Sequence, residues 1–307
     1  MKAMRVVWAE TLIELAKDDE RLVVLDGDLA NSTMASMVDA ACPDRFIEMG
    51  IAEQNLVGAA AGMAHTGFVP WVSSFAVFLT HRAADPLRML VAQTRANVKI
   101  AGAYSGMLTG VTGKSHQDVQ DLAIVRAMPE MTVLAPADEH ECRAMICWAM
   151  EYQGPVYLRL ARDPSPAVFD PGYRFVPGAP VRVRGGSDIA LISTGVQTPR
   201  TLAAAERLAA DGIDAAVIHL GSIKPLEEAA LVEELAGFDT VVTTEEHSVI
   251  GGLGGLVAEV LSAHAPARVV RIGVDDEFGE SAPNEFLLER YGLSPTRVAE
   301  RVREVLA

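Results

Sequence analysis

Short, nearly continuous apolar runs alternate along the chain with longer stretches in which apolar residues recur at helical spacing. In the first half, the runs predict six strands, at Leu22–Leu25, Phe46–Glu48, Val69–Ser73, Val98–Ala101, Thr132–Leu134 and Val156–Leu160. Helical stretches of about 9 to 15 residues separate most of them. Because parallel strands are joined by helical crossovers that cover both faces of the sheet, this rhythm predicts an α/β domain with a parallel sheet.

The same alternation resumes in the second half of the chain. It predicts an amphipathic helix from Thr296 to Leu306 and four strands, at Asp188–Ser193, Ala215–Leu220, Thr240–Thr244 and Arg268–Gly273. Between the halves, Asp163–Gly186 is rich in proline and glycine, which is typical of a connecting segment. We therefore predict an α/β domain at 1–165, a linker at 166–186 and a smaller α/β domain at 187–307, a division that suits a chain of 307 residues.

Composition excludes several classes of partner. The formal net charge is −15 and the acidic residues are scattered, which argues against binding to nucleic acid. No apolar run approaches the roughly 20 residues of a membrane-spanning helix, and the first residues lack a targeting pattern. Three cysteines are too few for a disulfide framework or a four-ligand zinc site. These features predict a cytoplasmic protein with no membrane or nucleic-acid partner and no metal site of its own.

Glu53 is the first candidate for chemistry. It follows a predicted strand and a glycine turn and lies where a helix begins, so it could simply complement the helix dipole. The helix that follows, with Gly58–Ala64 at its centre, consists almost wholly of small and apolar residues and is therefore expected to be buried. Burial disfavours the ionised form of a carboxylic acid, which favours a role in proton transfer.

Two further segments carry candidate ligand-binding groups. Phe75 and Phe78 follow a predicted strand at a spacing that would place them on one helical face, either as core residues or as a stacking surface for a heteroaromatic ligand. The glycine-rich loop Thr109–Asp118 contains hydroxyls, a lysine and His116, which suits a phosphate or sugar. Its spacing is not that of a nucleotide-binding Walker loop. The glycines at Gly251–Gly255 lack the third glycine of a dinucleotide fingerprint and predict close packing instead.

Four segments in order resemble the pyrimidine-binding and C-terminal domains of transketolases over nearly the whole chain. They are Gly50–Gln54 (Gly-Ile-Ala-Glu-Gln), Ser74–Arg82, Ser115–Gln117 and Met131–Asp138. The first segment alone would also suit deoxyxylulose phosphate synthases and the β subunits of 2-oxo acid dehydrogenases. A non-catalytic protein that keeps the same fold is a third alternative.

The resemblance implies thiamin diphosphate as the cofactor and assigns residues to it. Glu53 matches the glutamate that hydrogen-bonds N1′ of the aminopyrimidine and favours the tautomer that removes the C2 proton of the thiazolium. Phe75 and Phe78 match aromatic residues that lie against the aminopyrimidine. Asp28 matches an aspartate near the thiazolium and the subunit interface.

The resemblance also implies a substrate site. His116 matches a histidine that contacts substrate, and it is the second predicted catalytic residue. Ser32, Arg162 and Arg5 match residues that hold the phosphate of a sugar phosphate.

Three positions depart from the family pattern. Tyr104 stands in place of a second substrate-binding histidine, Thr112 stands in place of an aspartate that contacts the C2 hydroxyl, and His81 replaces an aromatic residue. Tyr104 and Thr112 remain predicted substrate-binding positions, with the identity of the sugar open.

The family's metal motif has no counterpart in the chain. Transketolases hold the diphosphate and Mg²⁺ on a domain with a Gly-Asp-Gly motif, whereas Asp26-Gly27-Asp28 has the inverted order. The resemblance therefore implies a partner subunit that supplies this motif, in an α2β2 assembly that transfers a two-carbon ketol unit between sugar phosphates.

Overall fold

The computed structural model describes all 307 residues, which form two sheets flanked by helices. The strands are β1 Leu22–Asp26, β2 Phe46–Glu48, β3 Val69–Phe75, β4 Lys99–Ala103, β5 Thr132–Leu134, β6 Val156–Leu160, β7 Val181–Arg184, β8 Ile189–Ser193, β9 Ala215–His219, β10 Ser222–Lys224, β11 Thr240–Ser248 and β12 Arg268–Val274. The α-helices are α1 Met4–Leu15, α2 Ala30–Thr33, α3 Ala35–Ala41, α4 Glu53–His65, α5 Ala84–Pro86, α6 Asp121–Arg126, α7 Glu139–Glu151, α8 Gln197–Ala210, α9 Glu228–Glu234, α10 Leu253–His264, α11 Asn284–Arg290 and α12 Pro295–Leu306. Two π-helical turns, Phe78–Arg82 and Leu87–Ala92, and two 3₁₀ turns, Pro43–Arg45 and Gly110–Thr112, complete the chain.

The first sheet has the strand order β10-β5-β6-β4-β3-β1-β2. All of its neighbouring strands are parallel except β10, which runs antiparallel to β5. The inner strands β1, β3, β4 and β6 are buried along their whole length, as continuous apolar runs covered by helices on both faces require. The predicted α/β fold with a parallel sheet is confirmed.

The second sheet has the order β12-β11-β8-β9-β7, and it is parallel except for the edge strand β7. Strand β7 lies inside the segment predicted as the linker 166–186, so the second sheet begins before residue 187. Its four residues alternate valine and arginine and are only partly buried, a pattern too short and too polar to stand out beside the neighbouring prolines. Strand β10 also went unpredicted, and it joins the sheet of the first domain.

Parallel strands place their carboxyl ends at one edge of a sheet, and ligands of open α/β sheets bind there. In the first domain, this edge collects the loops after β1, β3, β4 and β6 and the start of α4, which follows β2. The candidate residues of the sequence analysis lie on these segments, apart from Arg5 in α1. None of the helices is both long and apolar enough to cross a membrane.

Candidate active site

Glu53 begins α4 and is buried, with 1% of its surface exposed. Its carboxylate has one hydrogen-bonding partner in the chain, Arg82, whose Nη1 lies 3.0 Å from both Oε1 and Oε2. The side chain of Arg82 is 50% exposed, and its guanidinium carbon lies 4.3 Å from the centroid of the Phe78 ring. The buried carboxylate of Glu53 is therefore paired with a single arginine, which is itself half exposed to solvent.

Aromatic rings form a cluster next to this pair. Phe75 ends β3 and Phe78 starts a π-helical turn, so they do not share the helical face that their spacing suggested, but their rings still stack with centroids 5.9 Å apart. Tyr104 stacks on Phe75 at 4.1 Å, and the His116 ring makes T-shaped contacts with Phe75 and Phe78 at centroid distances of 5.8 and 5.4 Å. Ser115 Oγ lies 2.8 Å from His116 Nδ1. The structure thus brings Glu53, both phenylalanines and His116 to one place.

Two arginines, Arg5 and Arg162, lie next to Tyr104. Arg5 donates through Nη1 to the Tyr104 hydroxyl at 3.2 Å and to the Ser32 carbonyl at 2.5 Å, and through Nε to the Arg162 carbonyl at 3.2 Å. The guanidinium carbons of Arg5 and Arg162 lie 5.3 and 5.6 Å from the centroid of the Tyr104 ring. Arg5 has no carboxylate partner, and Arg162 reaches Asp163 only at 3.8 Å. In an acidic chain, two arginines this weakly neutralised form a site suited to an anion.

Tyr104 has a positive φ of 54°, a conformation that is rare for residues with a large side chain. It immediately follows β4, at the carboxyl edge of the sheet. Strained backbone of this kind clusters at ligand-binding sites, because the surrounding structure has to hold it in place. The ring of Tyr104 contacts both Phe75 and the guanidinium groups of the two arginines.

Two predicted residues lie apart from these contacts. Asp28 is exposed in the loop after β1, where it has a φ of 63° and donates its backbone N–H to Glu48 Oε1 at 2.9 Å. Thr112 is exposed on the loop after β4, and its hydroxyl lies 2.5 Å from that of Thr109. Neither is joined by a hydrogen bond to the cluster from Glu53 to Arg5.

The second domain holds the loop that carries Thr112 and His116. Glu246 Oε1 accepts hydrogen bonds from the backbone N–H groups of Met107 and Leu108, at 3.0 and 3.1 Å. Its Oε2 accepts a hydrogen bond from Arg200 at 2.6 Å. Gly106, with a φ of +83°, passes so close to Glu246 that any side chain there would collide with it. The second domain therefore fixes the start of this loop, a function that no sequence motif indicated.

His81 and Asp118 link the π-helical turn to the end of the same loop. His81 Nε2 lies 3.5 Å from Asp118 Oδ1, and the Thr80 hydroxyl donates to Asp118 Oδ2 at 2.6 Å. Burial alone would raise the pKa of Asp118, but the hydrogen bonds from His81 and Thr80 lower it overall. The same interaction with Asp118 raises the pKa of His81. His81 and Thr80 thus connect the π-helical turn to Asp118 at the end of the loop.

The residues present suit part of thiamin diphosphate. A buried carboxylate beside a stack of aromatic rings offers the two contacts that a flat, hydrogen-bonding aminopyrimidine requires. The chain contains no grouping of three or more His, Cys, Asp or Glu side chains suited to a metal ion. The arrangement accordingly fits the pyrimidine end of the cofactor.

Comparisons with known proteins identify the family. Residues 1–166 match the family model "Transketolase, pyrimidine binding domain", and residues 178–298 match "Transketolase, C-terminal domain". A protein of Methanocaldococcus jannaschii, provisionally named a transketolase C-terminal section, is 42% identical over 99% of this chain and 96% of its own length. The 6-deoxy-6-sulfo-D-fructose transketolase subunit of Clostridium sp. is 35% identical over 98% of this chain and 94% of its own.

A solved structure described as a split gene transketolase in an inactive beta4 tetramer is 44% identical to the chain. It covers 99% of this chain with a TM-score of 0.92, and the match spans 98% of that chain. The chain therefore belongs to the transketolase family, as a transferase subunit that carries the pyrimidine-binding and C-terminal domains.

Proposed function

We propose that this subunit, together with a partner that carries the Gly-Asp-Gly motif, transfers a two-carbon ketol unit between sugar phosphates or close analogues in cytoplasmic carbohydrate metabolism. The observation that carries the proposal is the buried carboxylate of Glu53, which Arg82 joins to the stacked rings of Phe75 and Phe78. The partner would hold the diphosphate and Mg²⁺ of the cofactor, and two copies of each subunit would form an α2β2 assembly.

In this proposal, Glu53 hydrogen-bonds the aminopyrimidine, and Phe75 and Phe78 bind its faces. When bound, thiamin diphosphate supplies the carbon nucleophile that takes up the two-carbon unit of a ketose. Glu53 would hold a proton at the ring nitrogen, a task for which a carboxylate shielded from water is suited. Asp28, on an exposed loop at the same edge of the sheet, would lie toward the partner and the thiazolium.

The substrate would lie between the aromatic cluster and the arginine pair. Arg5 and Arg162 would bind its terminal phosphate together with Ser32, because their guanidinium groups face no strong carboxylate partner. His116 would contact the reacting end of the sugar and assist proton transfer there. Tyr104 and Thr112 would contact the hydroxyls between the two ends.

The names of two relatives support this proposal. The Clostridium relative is named for a sugar that carries a sulfo group, another terminal anion that paired guanidinium groups can bind. The beta4 tetramer of the structural relative is described as inactive, which agrees with a need for a second kind of subunit.

Titration calorimetry tests the division of the cofactor site. The isolated chain should bind thiamin diphosphate with Mg²⁺ only weakly, whereas a mixture with the Gly-Asp-Gly subunit should bind it tightly and catalyse ketol transfer. Micromolar, Mg²⁺-dependent binding by the isolated chain would contradict the divided site. A mixture that binds the cofactor but transfers no ketol unit would point to a non-catalytic relative.

A further inference from the structure

Arg82 interacts with Glu53 and Phe78, two residues that bind the aminopyrimidine in the proposed function. Its Nη1 donates to both oxygens of Glu53 at 3.0 Å, and its guanidinium carbon lies 4.3 Å from the centroid of the Phe78 ring. We propose that Arg82 is a placeholder in the cofactor site: its guanidinium occupies the place of the aminopyrimidine in the subunit alone and must leave before the cofactor can bind. This inference rests on the proposed function of Glu53 and Phe78.

The chemistry of the guanidinium group explains how it takes the place of the aminopyrimidine. It is flat, it stacks on aromatic faces, and its N–H groups bind carboxylates. An aminopyrimidine held by Glu53 and Phe78 would need the same ring face and the same carboxylate oxygens. The two groups therefore compete for one place.

Burial of Glu53 explains why an arginine is there. A carboxylate removed from water is costly unless a counter-charge or hydrogen-bond donors accompany it. Glu53 has no backbone N–H or other side chain bonded to its carboxylate, so Arg82 alone meets this need. The placeholder thus stabilises the cofactor-free site.

Arg82 is also able to move. Half of its side chain surface is exposed, and only Nη1 of its three nitrogens contacts Glu53. The backbone of Arg82 is held separately, because Gln54 Nε2 donates to its carbonyl at 3.1 Å. The side chain can therefore swing into solvent while the π-helical turn Phe78–Arg82 keeps its place.

This arrangement makes cofactor binding conditional on the partner. When a binding-competent state is populated only fractionally, the apparent affinity falls by that fraction. An ion pair that is closed about 90 to 99% of the time would weaken binding about 10- to 100-fold. Contacts of the diphosphate with the partner subunit would offset this loss.

The test measures binding to the isolated full-length chain, with no catalytic readout. The probes are 4-amino-5-hydroxymethyl-2-methylpyrimidine and thiamin diphosphate with Mg²⁺. Their binding is measured by ligand-observed NMR and titration calorimetry. Arg82→Ala and Arg82→Gln should bind both probes about 10- to 100-fold more tightly than the wild type. Arg88→Ala is the matched control, because Arg88 lies on the next π-helical turn, is exposed and pairs with Asp85 at 3.4 Å. Its affinity should equal that of the wild type.

A second background shows whether the effect acts through Glu53. In Glu53→Gln, where Arg82 keeps at most a hydrogen bond to a neutral amide, adding Arg82→Ala should give a smaller gain in affinity than it gives beside the intact Glu53. Circular dichroism and melting temperature establish that each variant folds. If an Arg82 variant does not fold, it is replaced by Arg82→Lys, which keeps the charge without the planar group.

Folded Arg82 variants that bind the probes no better than the wild type would overturn the placeholder. That result would leave the proposed function intact as long as the wild-type mixture with the partner binds thiamin diphosphate and depends on Glu53. Failure of the wild-type mixture to bind the cofactor would instead remove the proposed function itself.

Discussion

Two glutamates, Glu53 in the first domain and Glu246 in the second, are equally buried but have opposite surroundings. They are 1% and 2% exposed. Glu246 accepts two backbone N–H groups and the guanidinium of Arg200, and Arg200 is held in turn by Gln197 Oε1 at 3.0 Å. Glu53 has only the half-exposed Arg82. The number and rigidity of its partners, more than its burial, distinguish a carboxylate that supports structure from one that is available to a ligand.

The same contrast extends to their neighbours. Glu245 accepts the backbone N–H groups of Leu253 and Gly254 at the start of α10, at 2.6 and 2.8 Å. Burial raises the pKa of Glu245, although these hydrogen bonds and nearby positive charges oppose the shift. Both of these glutamates of the second domain are thus held by several fixed donors, whereas Glu53 has one half-exposed partner.

Replacing Glu53 should produce the largest effect. Glu53→Gln in the assembled enzyme should reduce turnover by about 10²- to 10⁴-fold, because a positioned acid–base group is lost. The fold should survive, since the amide keeps the size of the side chain and can still accept a hydrogen bond from Arg82. Steady-state turnover and the melting temperature of the variant test both statements. Turnover close to that of the wild type would indicate that Glu53 only complements the dipole of its helix.

Replacing Glu246 should instead lower stability. Glu246→Gln removes the charge that binds Arg200 and weakens two hydrogen bonds to the loop after β4, so we expect a loss of about 1 to 3 kcal/mol in the free energy of unfolding. Denaturant unfolding measures the loss, and hydrogen exchange should show faster opening at Met107 and Leu108. In kinetics, KM should rise more than kcat falls, because the loop carries proposed substrate contacts. Unchanged exchange at these amides would show that Glu246 does not hold the loop.

The smallest effect should come from His81 and should depend on pH. Because its pKa is raised in the folded state, protonated His81 stabilises the fold below its ordinary pKa of 6.5, and this contribution disappears as the pH rises through the folded pKa. Because the pKa of Asp118 is lowered, its contribution is present above 3.8 and disappears as the pH falls through its folded pKa.

The side chain of His81 is 40% exposed, so solvent screening should limit the contribution to about 0.5 kcal/mol. The difference in melting temperature between the wild type and His81→Gln should be greatest near pH 5 to 6 and should vanish at alkaline pH. An NMR titration of His81 with a midpoint at or below 6.5 would contradict this account.

The sequence predicted the fold well wherever strands are long and apolar. Strands such as β1 and β6 appear where expected, and both the family and the transketolase-type function are confirmed by the comparisons. Strands β7 and β10 were missed because three or four residues of mixed polarity carry no clear period.

The site was predictable in its composition but only partly in its arrangement. Glu53 was found through its position at the start of a buried helix, because that signal is local. Its ion pair with Arg82 joins residues 29 positions apart on two different elements, so it leaves no pattern in the sequence. Contacts made by the second domain, such as those of Glu246, arise from the packing of separate domains and were equally invisible. The roles assigned to individual site residues stay predictions.

Strand β10 has a consequence for attempts to dissect the protein. Its residues belong to the second half of the chain but complete the sheet of the first, with Ser222 opposite Leu134 and Lys224 opposite Val133. A fragment that ends in the proline-rich segment would leave β5 with an open edge, the kind of unpaired strand that promotes aggregation. Experiments that exchange or fuse domains should therefore transfer both halves of the chain together, or include residues 222–224 with the first domain.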